Sequence, residues 1–159
     1  MENHPTDQTA CILSQWCFED LPKVAHLAQV SVGDLAWPLS HYESAFQAGD
    51  YGLLLKSQDD DLLGVLIGKQ GLDVFDLMDI HVKPEARGQG LAQQLIGFCM
   101  DHAKDQKLNS IMLEVRTSNQ AAIQLYKKCV FQEIHRRKNY YAAQAGQPAE
   151  DALIFQVIL

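Results

Sequence analysis

The chain has 159 residues, of which 47% are hydrophobic and 21% are charged, a composition typical of a soluble globular domain. Twenty acidic residues outweigh thirteen basic ones, and the formal charge of −7 argues against a protein that binds nucleic acid, since such proteins carry a basic face. The acidic balance instead favours a cationic substrate or a basic partner peptide.

The cysteines and the N-terminal segment indicate where such a protein works. None of the four cysteines has the paired spacing of a zinc site, so we expect reduced, buried thiols and no metal. Residues 1–10 lack the basic-then-apolar pattern of a secretion signal, and the longest apolar run, residues 62–68, is far shorter than the about 20 residues that cross a bilayer. We therefore expect residues 1–159 to form a single cytoplasmic domain that does not contact a membrane.

The first half of the chain predicts four strands and two helices. A short strand over residues 10–14 follows a loose tail at 1–9. Apolar residues at helical spacing predict a helix from about Pro22 to Val32, and Trp37-Pro38 separates it from a second helix over 40–48. Apolar runs divided by polar turns then predict an antiparallel meander of three strands, over residues 51–56, 62–69 and 72–82.

The second half predicts a helix, a strand, a helix and two strands, over residues 91–105, 110–116, 120–128, 131–135 and 152–159. Thr117 and Gln120 have the spacing of a capping box at the start of the second helix. A long polar loop joins the last two strands. This order of elements predicts an α/β (α+β) fold, in which a mixed, mostly antiparallel central sheet carries helices on both faces.

The turn between the strand that ends at Val82 and the following helix has the features of a phosphate cradle. Glycine lets an anion approach the backbone, and the first amides of a helix are unpaired. The turn lacks the endings of a nucleotide P-loop and of a dinucleotide fingerprint, but Arg87, Gly90 and Ala92 fit the pattern Gln/Arg-x-x-Gly-x-Gly/Ala. An ordinary strand-to-helix turn is the alternative interpretation.

Several segments, in order, give the chain a resemblance to the GNAT superfamily of acetyl-CoA-dependent N-acetyltransferases. They are Asp20-Leu21-Pro22, Trp37-Pro38, residues 80–84, 87–92, 113–119 and 121–126, Phe131, and residues 136–141. Within the superfamily the chain is similar to the RimI type, which acetylates the N-terminal alanine of a small-subunit ribosomal protein. The resemblance implies a GNAT fold, acetyl-CoA as cosubstrate, and the peptide N-terminus of a basic protein as acceptor, with a small-subunit ribosomal protein as one candidate.

The resemblance also implies roles in catalysis. Glu114 corresponds to the general base, acting through a water, and Tyr126 to the general acid that protonates the departing thiolate. A solvated Glu114, or one paired with Arg116, and a Tyr126 that only packs in the core are the alternatives. Asn119 is expected to touch the pantetheine arm or to cap a helix.

The remaining cofactor contacts are expected from the backbone of one strand and from the turn that follows it. The thioester carbonyl is expected to meet a backbone amide of Ile80, His81 or Val82, in a strand usually splayed by a bulge. The pyrophosphate is expected at Arg87, Gly88, Gln89, Gly90, Leu91 and Ala92.

The acceptor is expected to meet Trp37, Asp79, Tyr140 and Tyr141. The two tyrosines end the basic cluster at 135–141, which borders the peptide cleft in the family, although a solvated strand end is the alternative. Asp79 and His81 share one face of their strand. The family pattern more often has a small residue at position 81, so a part of this pair in proton transfer stays open beside a structural role.

Other functions remain open at this stage. Cys99 and Cys129 have no neighbour in sequence that suggests a nucleophile, so direct attack by the amine is expected. An α-amine is neutral more often than a lysine amine at pH 7, a difference of about 3 kcal/mol, so an N-terminal acceptor demands less of its base. The alternatives are an acetyltransferase for a small-molecule amine or for lysine side chains, or a non-catalytic CoA-binding module.

Overall fold

The protein is described here by a computed structural model, which covers residues 10–144 and 146–159. The predicted tail at residues 1–9 lies outside the described residues. Within them, four α-helices are present: α1 (Leu21–Val32), α2 (Leu39–Gln47), α3 (Leu91–Asp105) and α4 (Gln120–Lys128). Seven strands are β1 (Ile12–Gln15), β2 (Tyr51–Lys56), β3 (Leu62–Gln70), β4 (Val74–Val82), β5 (Ser110–Arg116), β6 (Gln132–Tyr141) and β7 (Glu150–Ile158).

The strands form one mixed sheet in the order β1-β2-β3-β4-β5-β7-β6. The pair of β4 and β5 is parallel, because α3 carries the chain back across the sheet between them, and the other five pairs are antiparallel. The predicted meander of β2, β3 and β4 and the mixed, mostly antiparallel sheet are therefore confirmed.

Helices cover both faces of the sheet, as predicted. Leu53 and Leu55 of β2 belong to one buried cluster and Leu54 between them belongs to the other, because alternate side chains of a strand point to opposite faces. The larger core lies beneath α3 and α4 and includes Phe75, Leu95, Ile111, Tyr126 and Phe155. The smaller core lies beneath α1 and α2 and includes Val24, Tyr42, Leu54 and Ile67.

A β-bulge interrupts β4 at Met78. Ile67 of β3 pairs with Asp79, whereas the next residue, Gly68, pairs with Leu77, so Met78 is an extra residue on β4. A bulge of this kind breaks the alternation of side chains along the strand.

The bulge changes the direction in which the side chains of β4 point after Met78. Leu77 packs in the larger core, and beyond the bulge Ile80 and Val82 pack against that same core. Asp79 and His81 are therefore turned toward the face covered by α1 and α2. In an uninterrupted strand they would follow Leu77 into the larger core.

Three local predictions are corrected. The strand predicted at 131–135 extends to Tyr141, and its partner begins at Glu150, so the connecting loop is shorter than expected. The side chains of β6 are mostly exposed, so its polar sequence resembles a loop.

Thr117 does not cap α4; Asn119 Oδ1 accepts from the amide of Ala122 at 3.2 Å. Burial of the cysteines holds for Cys99 and Cys129 but not for the other two.

Candidate active site

The strands β4 and β5 separate where the bulge begins. Their parallel pairing runs from Val74 and Ser110 to Leu77 and Leu113 and stops there. Beyond this point the two strands diverge, and three connected spaces open around the gap. We call them the cofactor-side groove, the inner cavity and the outer cleft.

The cofactor-side groove has a volume of about 350 Å³ and lies between the end of β4 and the N-terminal ends of α3 and α4. Predicted cofactor residues line it, namely Ile80, His81, Val82, Arg87, Ala92 and Asn119. The structure thus brings these six together, although they come from β4, a turn and two helix starts.

The turn before α3 fits a pyrophosphate. Gly88 and Gly90 both have a φ of +77°, a backbone conformation that other residues rarely adopt. The first hydrogen bond of α3 runs from Gln94 N to Gly90 O at 3.0 Å, so the amides of Leu91, Ala92 and Gln93 precede any helical acceptor. A helix N-terminus of this kind attracts phosphate oxygens.

Arg87 holds this turn against the end of β4. Its Nε donates to Val82 O at 3.3 Å and its Nη2 to Ser31 O at 3.4 Å, while the side chain remains exposed. Gln89 is also exposed in this turn, whereas Leu91 is buried in the larger core and offers only its backbone to a ligand.

The backbone of β4 offers donors to the groove. The amide of Lys83 bonds Leu63 O of β3 at 2.8 Å, so the alternation of backbone direction turns His81 toward β3 and turns Ile80 and Val82 toward the gap. Val82 O accepts from Ser31 Oγ at 3.4 Å, which agrees with that direction. Of the three amides predicted to meet the thioester carbonyl, only those of Ile80 and Val82 therefore point toward the gap.

The inner cavity, of about 190 Å³, gathers the predicted catalytic residues. Asp79, His81, Glu114, Asn119, Tyr126 and Tyr141 all line it. It shares His81, Asn119 and Tyr126 with the cofactor-side groove, and it shares Glu114 and Tyr141 with the outer cleft.

Tyr126 is buried and still reaches the inner cavity. Only 5% of the residue is exposed, and its ring packs near Phe131 and Phe155 at centroid distances of 5.8 and 6.3 Å. Burial, and then the charge of Asp79, raise the pKa of Tyr126 above that of an ordinary tyrosine. The phenol therefore stays protonated, which is the state a proton donor needs.

Glu114 lies on the cavity side of β5, as the alternation predicts, because Leu113 and Val115 are buried in the larger core. Its Oε1 accepts from Arg137 Nη1 at 2.8 Å. The alternative pairing of Glu114 with Arg116 is wrong, since Arg116 contacts Glu150 at 3.4 Å.

Asp79 is held from two sides. Tyr42, which is fully buried in α2, donates from its hydroxyl to Asp79 Oδ2 at 2.5 Å. His81 Nε2 lies 2.8 Å from Asp79 Oδ1. The predicted common face of Asp79 and His81 is confirmed, while Tyr42 is a member of the site that the sequence did not reveal, because its contact is non-local.

The outer cleft has a volume of about 590 Å³ and an aromatic, mixed-charge lining. It contains three predicted acceptor residues, Trp37, Tyr140 and Tyr141, whereas the fourth, Asp79, lies in the inner cavity. The indole of Trp37 stacks on His41 at 4.1 Å. The neighbouring Glu114 carboxylate, as a hydrogen-bond acceptor and as a negative charge, raises the pKa of Tyr140.

The outer cleft also contains Asp76, which the sequence analysis did not single out. Burial and the charge of Glu114 raise the pKa of Asp76, so the two carboxylates share one field. The sequence could have predicted the position of Asp76, because Asp76 and Met78 alternate with the apolar Phe75 and Leu77 along the strand. An acidic, aromatic cleft of this kind attracts a cation.

Residues 10–144 and 146–159 contain neither a metal-binding cluster nor a membrane-spanning helix. No group of three or more His, Cys, Asp or Glu side chains there is arranged to hold a metal ion. In the same residues, no helix is long and apolar enough to cross a membrane.

The chain is similar in sequence to proteins of one known family. The model of the GNAT acetyltransferase family matches residues 14–131. The ribosomal protein bS18-alanine N-acetyltransferase of Escherichia coli K12 is 34% identical over 136 residues, which cover 85% of this chain and 88% of that protein. The enzyme of the same name from Haemophilus ducreyi is 30% identical over 140 residues, covering 88% and 90%.

Solved structures share the fold. The crystal structure of the ribosomal-protein-S18-alanine N-acetyltransferase from Escherichia coli superposes with a TM-score of 0.85 at 29% identity and covers 94% of each chain. Ard1 from Thermoplasma volcanium has a TM-score of 0.83 at 20% identity, covers 94% of this chain and 98% of its own, and shows a likeness of fold alone. The chain belongs to the GNAT family of N-acetyltransferases, enzymes that use acetyl-CoA.

Proposed function

We propose that this chain, as a single catalytic domain, transfers the acetyl group of acetyl-CoA to the α-amine at the N-terminus of a protein. The observation that carries the proposal is the inner cavity, which joins the cofactor-side groove to the outer cleft and has Tyr126 on the groove side and Glu114 on the cleft side. A donor and an acceptor of protons therefore flank the place where the two substrates would meet.

In this proposal acetyl-CoA supplies the activated acetyl group. The turn from Arg87 to Ala92 holds the pyrophosphate, and the amides of Ile80 and Val82 face the thioester carbonyl, where they stabilise negative charge on its oxygen. Glu114 takes a proton from the acceptor ammonium through a water. Tyr126, whose buried phenol stays neutral until this point, gives its proton to the departing thiolate.

The outer cleft supports a peptide end as the acceptor. It contains stacked aromatic side chains, and its carboxylates from Asp76 and Glu114 attract an ammonium group. The two relatives described above, at 34% and 30% identity, carry the name of an enzyme that acetylates the alanine of ribosomal protein bS18. A small-subunit ribosomal protein with a basic N-terminal segment is therefore the proposed partner.

Two short peptides test this function. One begins with a free Ala-Arg N-terminus and contains no lysine, and the other is blocked at its N-terminus and contains one internal lysine. Release of CoA from acetyl-CoA with the first peptide alone is the expected result. Turnover of the lysine peptide alone, or of spermidine and neither peptide, would replace the proposal with a lysine or small-molecule acetyltransferase. Bound acetyl-CoA without turnover of any amine would indicate a binding module.

A further inference from the structure

The His81 ring in the inner cavity has an unusual environment. Its side chain is 9% exposed, and Nε2 is buried. Nε2 lies 2.8 Å from Asp79 Oδ1, yet among the described residues it is the one buried side-chain nitrogen or oxygen without a hydrogen-bond partner. A buried polar atom without a hydrogen-bond partner lowers the stability of the fold, so a native structure that keeps one calls for an explanation such as a role in catalysis.

Asp79 is fixed so that it faces this ring. Tyr42 donates to the other carboxylate oxygen at 2.5 Å, and the phenol cannot move away because Tyr42 is fully buried beneath α2. Asp79 Oδ1 lies 2.8 Å from His81 Nε2, and the two side chains are only 13% and 9% exposed. Tyr42, Asp79 and His81 therefore form a buried chain of contacts that ends at the inner cavity.

Acetylation of an amine releases such a proton inside the site. An acceptor ammonium loses one proton before its nitrogen attacks the thioester carbon. A second proton leaves the nitrogen as the nitrogen–carbon bond forms and the carbon–sulfur bond breaks. The thiolate takes one proton from Tyr126, which must then be reprotonated before the next turnover.

We propose that His81, backed by Asp79 and Tyr42, accepts the second proton from the reacting nitrogen and returns it to the oxygen of Tyr126 through water in the cavity. The proposal rests on the acetyl-transfer function proposed above. The protons balance, since Glu114 releases the first to solvent and the second passes from nitrogen through His81 to replace the one that Tyr126 gave to sulfur.

Position distinguishes His81 from Glu114 for this step. His81 and Tyr126 line both the inner cavity and the cofactor-side groove. Glu114 lines the inner cavity and the outer cleft instead, and its carboxylate is occupied by Arg137 on the cleft side. Glu114 is therefore placed for the entering ammonium, and His81 is placed for the proton released beside the sulfur.

The test compares His81→Ala with the parent enzyme under saturating acetyl-CoA. We expect kcat to fall about 10²-fold, with the KM for acetyl-CoA changed by less than about threefold, because a proton-transfer group is lost and no binding contact is. Added imidazole is expected to restore at least about a tenth of the lost rate in His81→Ala, because it occupies the vacated volume. Asp79→Asn is expected to lower kcat without any rescue by imidazole, since His81 still fills its place.

Two further variants serve as controls for the role of His81. His26→Ala replaces an exposed histidine on α1. We expect this variant to keep the parent kcat and to show no change in rate when imidazole is added. Tyr42→Phe keeps the buried ring but removes the hydrogen bond to Asp79, and a partial loss of kcat is expected. A His81→Ala enzyme with parent kcat, or one that loses rate without rescue by imidazole, would overturn the proposal.

The amine used in this comparison is whichever of the Ala-Arg peptide, the lysine peptide and spermidine the parent acetylates best. The role of His81 is thus decided even if the acceptor is not a protein N-terminus. A parent that acetylates none of the three would contradict both proposals.

Discussion

Arg137 reaches past strand β7 and donates from Nη1 to Oε1 of Glu114 at 2.8 Å. The two residues are on β6 and β5, and β7 lies between these strands in the sheet. The side chains are 49% and 32% exposed, so the ion pair is screened by solvent and contributes little to stability. An incoming ammonium is therefore able to take the place of Arg137 at the carboxylate.

Glu114→Gln removes the proposed base and keeps the shape of the side chain. We expect kcat for peptide acetylation to fall by about 10² or more, because proton transfer to a positioned side chain contributes at least that factor. Affinity for acetyl-CoA, measured by calorimetry, is expected to be unchanged. Arg137→Gln is the matched control and should alter kcat by less than about threefold. Equal losses in both variants would assign the effect to the ion pair instead of the base.

Tyr126→Phe removes one hydroxyl and leaves the ring that packs against Phe131 and Phe155. We expect kcat to fall about 10²-fold while thermal unfolding and acetyl-CoA binding stay close to those of the parent. Tyr51→Phe is the control, because Tyr51 is a half-buried tyrosine that stacks on His102 at 4.0 Å and lines none of the three spaces. A Tyr126→Phe enzyme with parent kcat would exclude the phenol as proton donor.

Gly90→Ala tests the phosphate cradle. Its φ of +77° forces a side chain into the left-handed region, which costs about 1–2 kcal/mol or displaces the turn from its binding geometry. We expect acetyl-CoA to bind at least about tenfold more weakly, as measured by calorimetry. Gly49→Ala has the same backbone strain at a φ of +80°, but it lies after α2 and away from the groove. Its affinity should match that of the parent; a shared loss of affinity would indicate general destabilisation.

Gly68→Ala tests the packing opposite the bulge. A Cβ at this position would overlap the ring of Phe75, so we expect the free energy of unfolding to fall by about 1–3 kcal/mol. Gly97→Ala on α3 meets no atom within 4 Å and should instead raise it by about 0.5–1 kcal/mol, because alanine is the better helix residue. Urea unfolding measures both changes, and a Gly68→Ala protein as stable as the parent would contradict the packing.

The buried thiol of Cys99 makes the free energy of unfolding depend on pH in the alkaline range. Burial raises the pKa of its thiol from 9.0 to about 12, so the folded state keeps a proton that the unfolded chain releases. The stabilisation is therefore complete below pH 9 and declines as the pH rises from 9 toward 12. For this group we expect a loss of about 1 kcal/mol between pH 9 and 10.

Urea unfolding at pH 8, 9 and 10 measures this slope. Cys99→Ala should be less stable than the parent at pH 8 and show a shallower decline. Leu95→Ala, one turn earlier in the same core, should lose stability at every pH and keep the parent slope. A Cys99→Ala protein with an unchanged slope would show that the thiol does not contribute.

Local patterns in the sequence predicted most of the fold. Helix α3 and strands β2 and β5 have the predicted bounds, because their apolar side chains repeat with the period of the element and their ends carry turn residues. The same alternation placed Glu114 opposite the buried Leu113 and Val115. Strand β6 was underestimated because its exposed side chains leave no apolar pattern to detect.

The parts that escaped prediction depend on contacts distant in sequence. A bulge in β4 was expected from the family resemblance, but its position at Met78 arises from pairing with β3, and nothing in residues 74–82 themselves distinguishes it from regular alternation. The hydrogen bond from Tyr42 to Asp79 and the one from Arg137 to Glu114 connect residues 37 and 23 positions apart. Such partners are fixed only once the helices and strands have packed.

One peptide tests directly whether the inner cavity presents a protein N-terminus to the acetyl group. The peptide begins with a free Ala-Arg and contains one internal lysine, and it is incubated with acetyl-CoA and the parent enzyme. Fragment mass spectrometry then locates the acetyl group. We expect acetylation of the α-amine in the parent enzyme and its loss in Glu114→Gln. Acetyl groups on the lysine, with the α-amine unmodified, would contradict it.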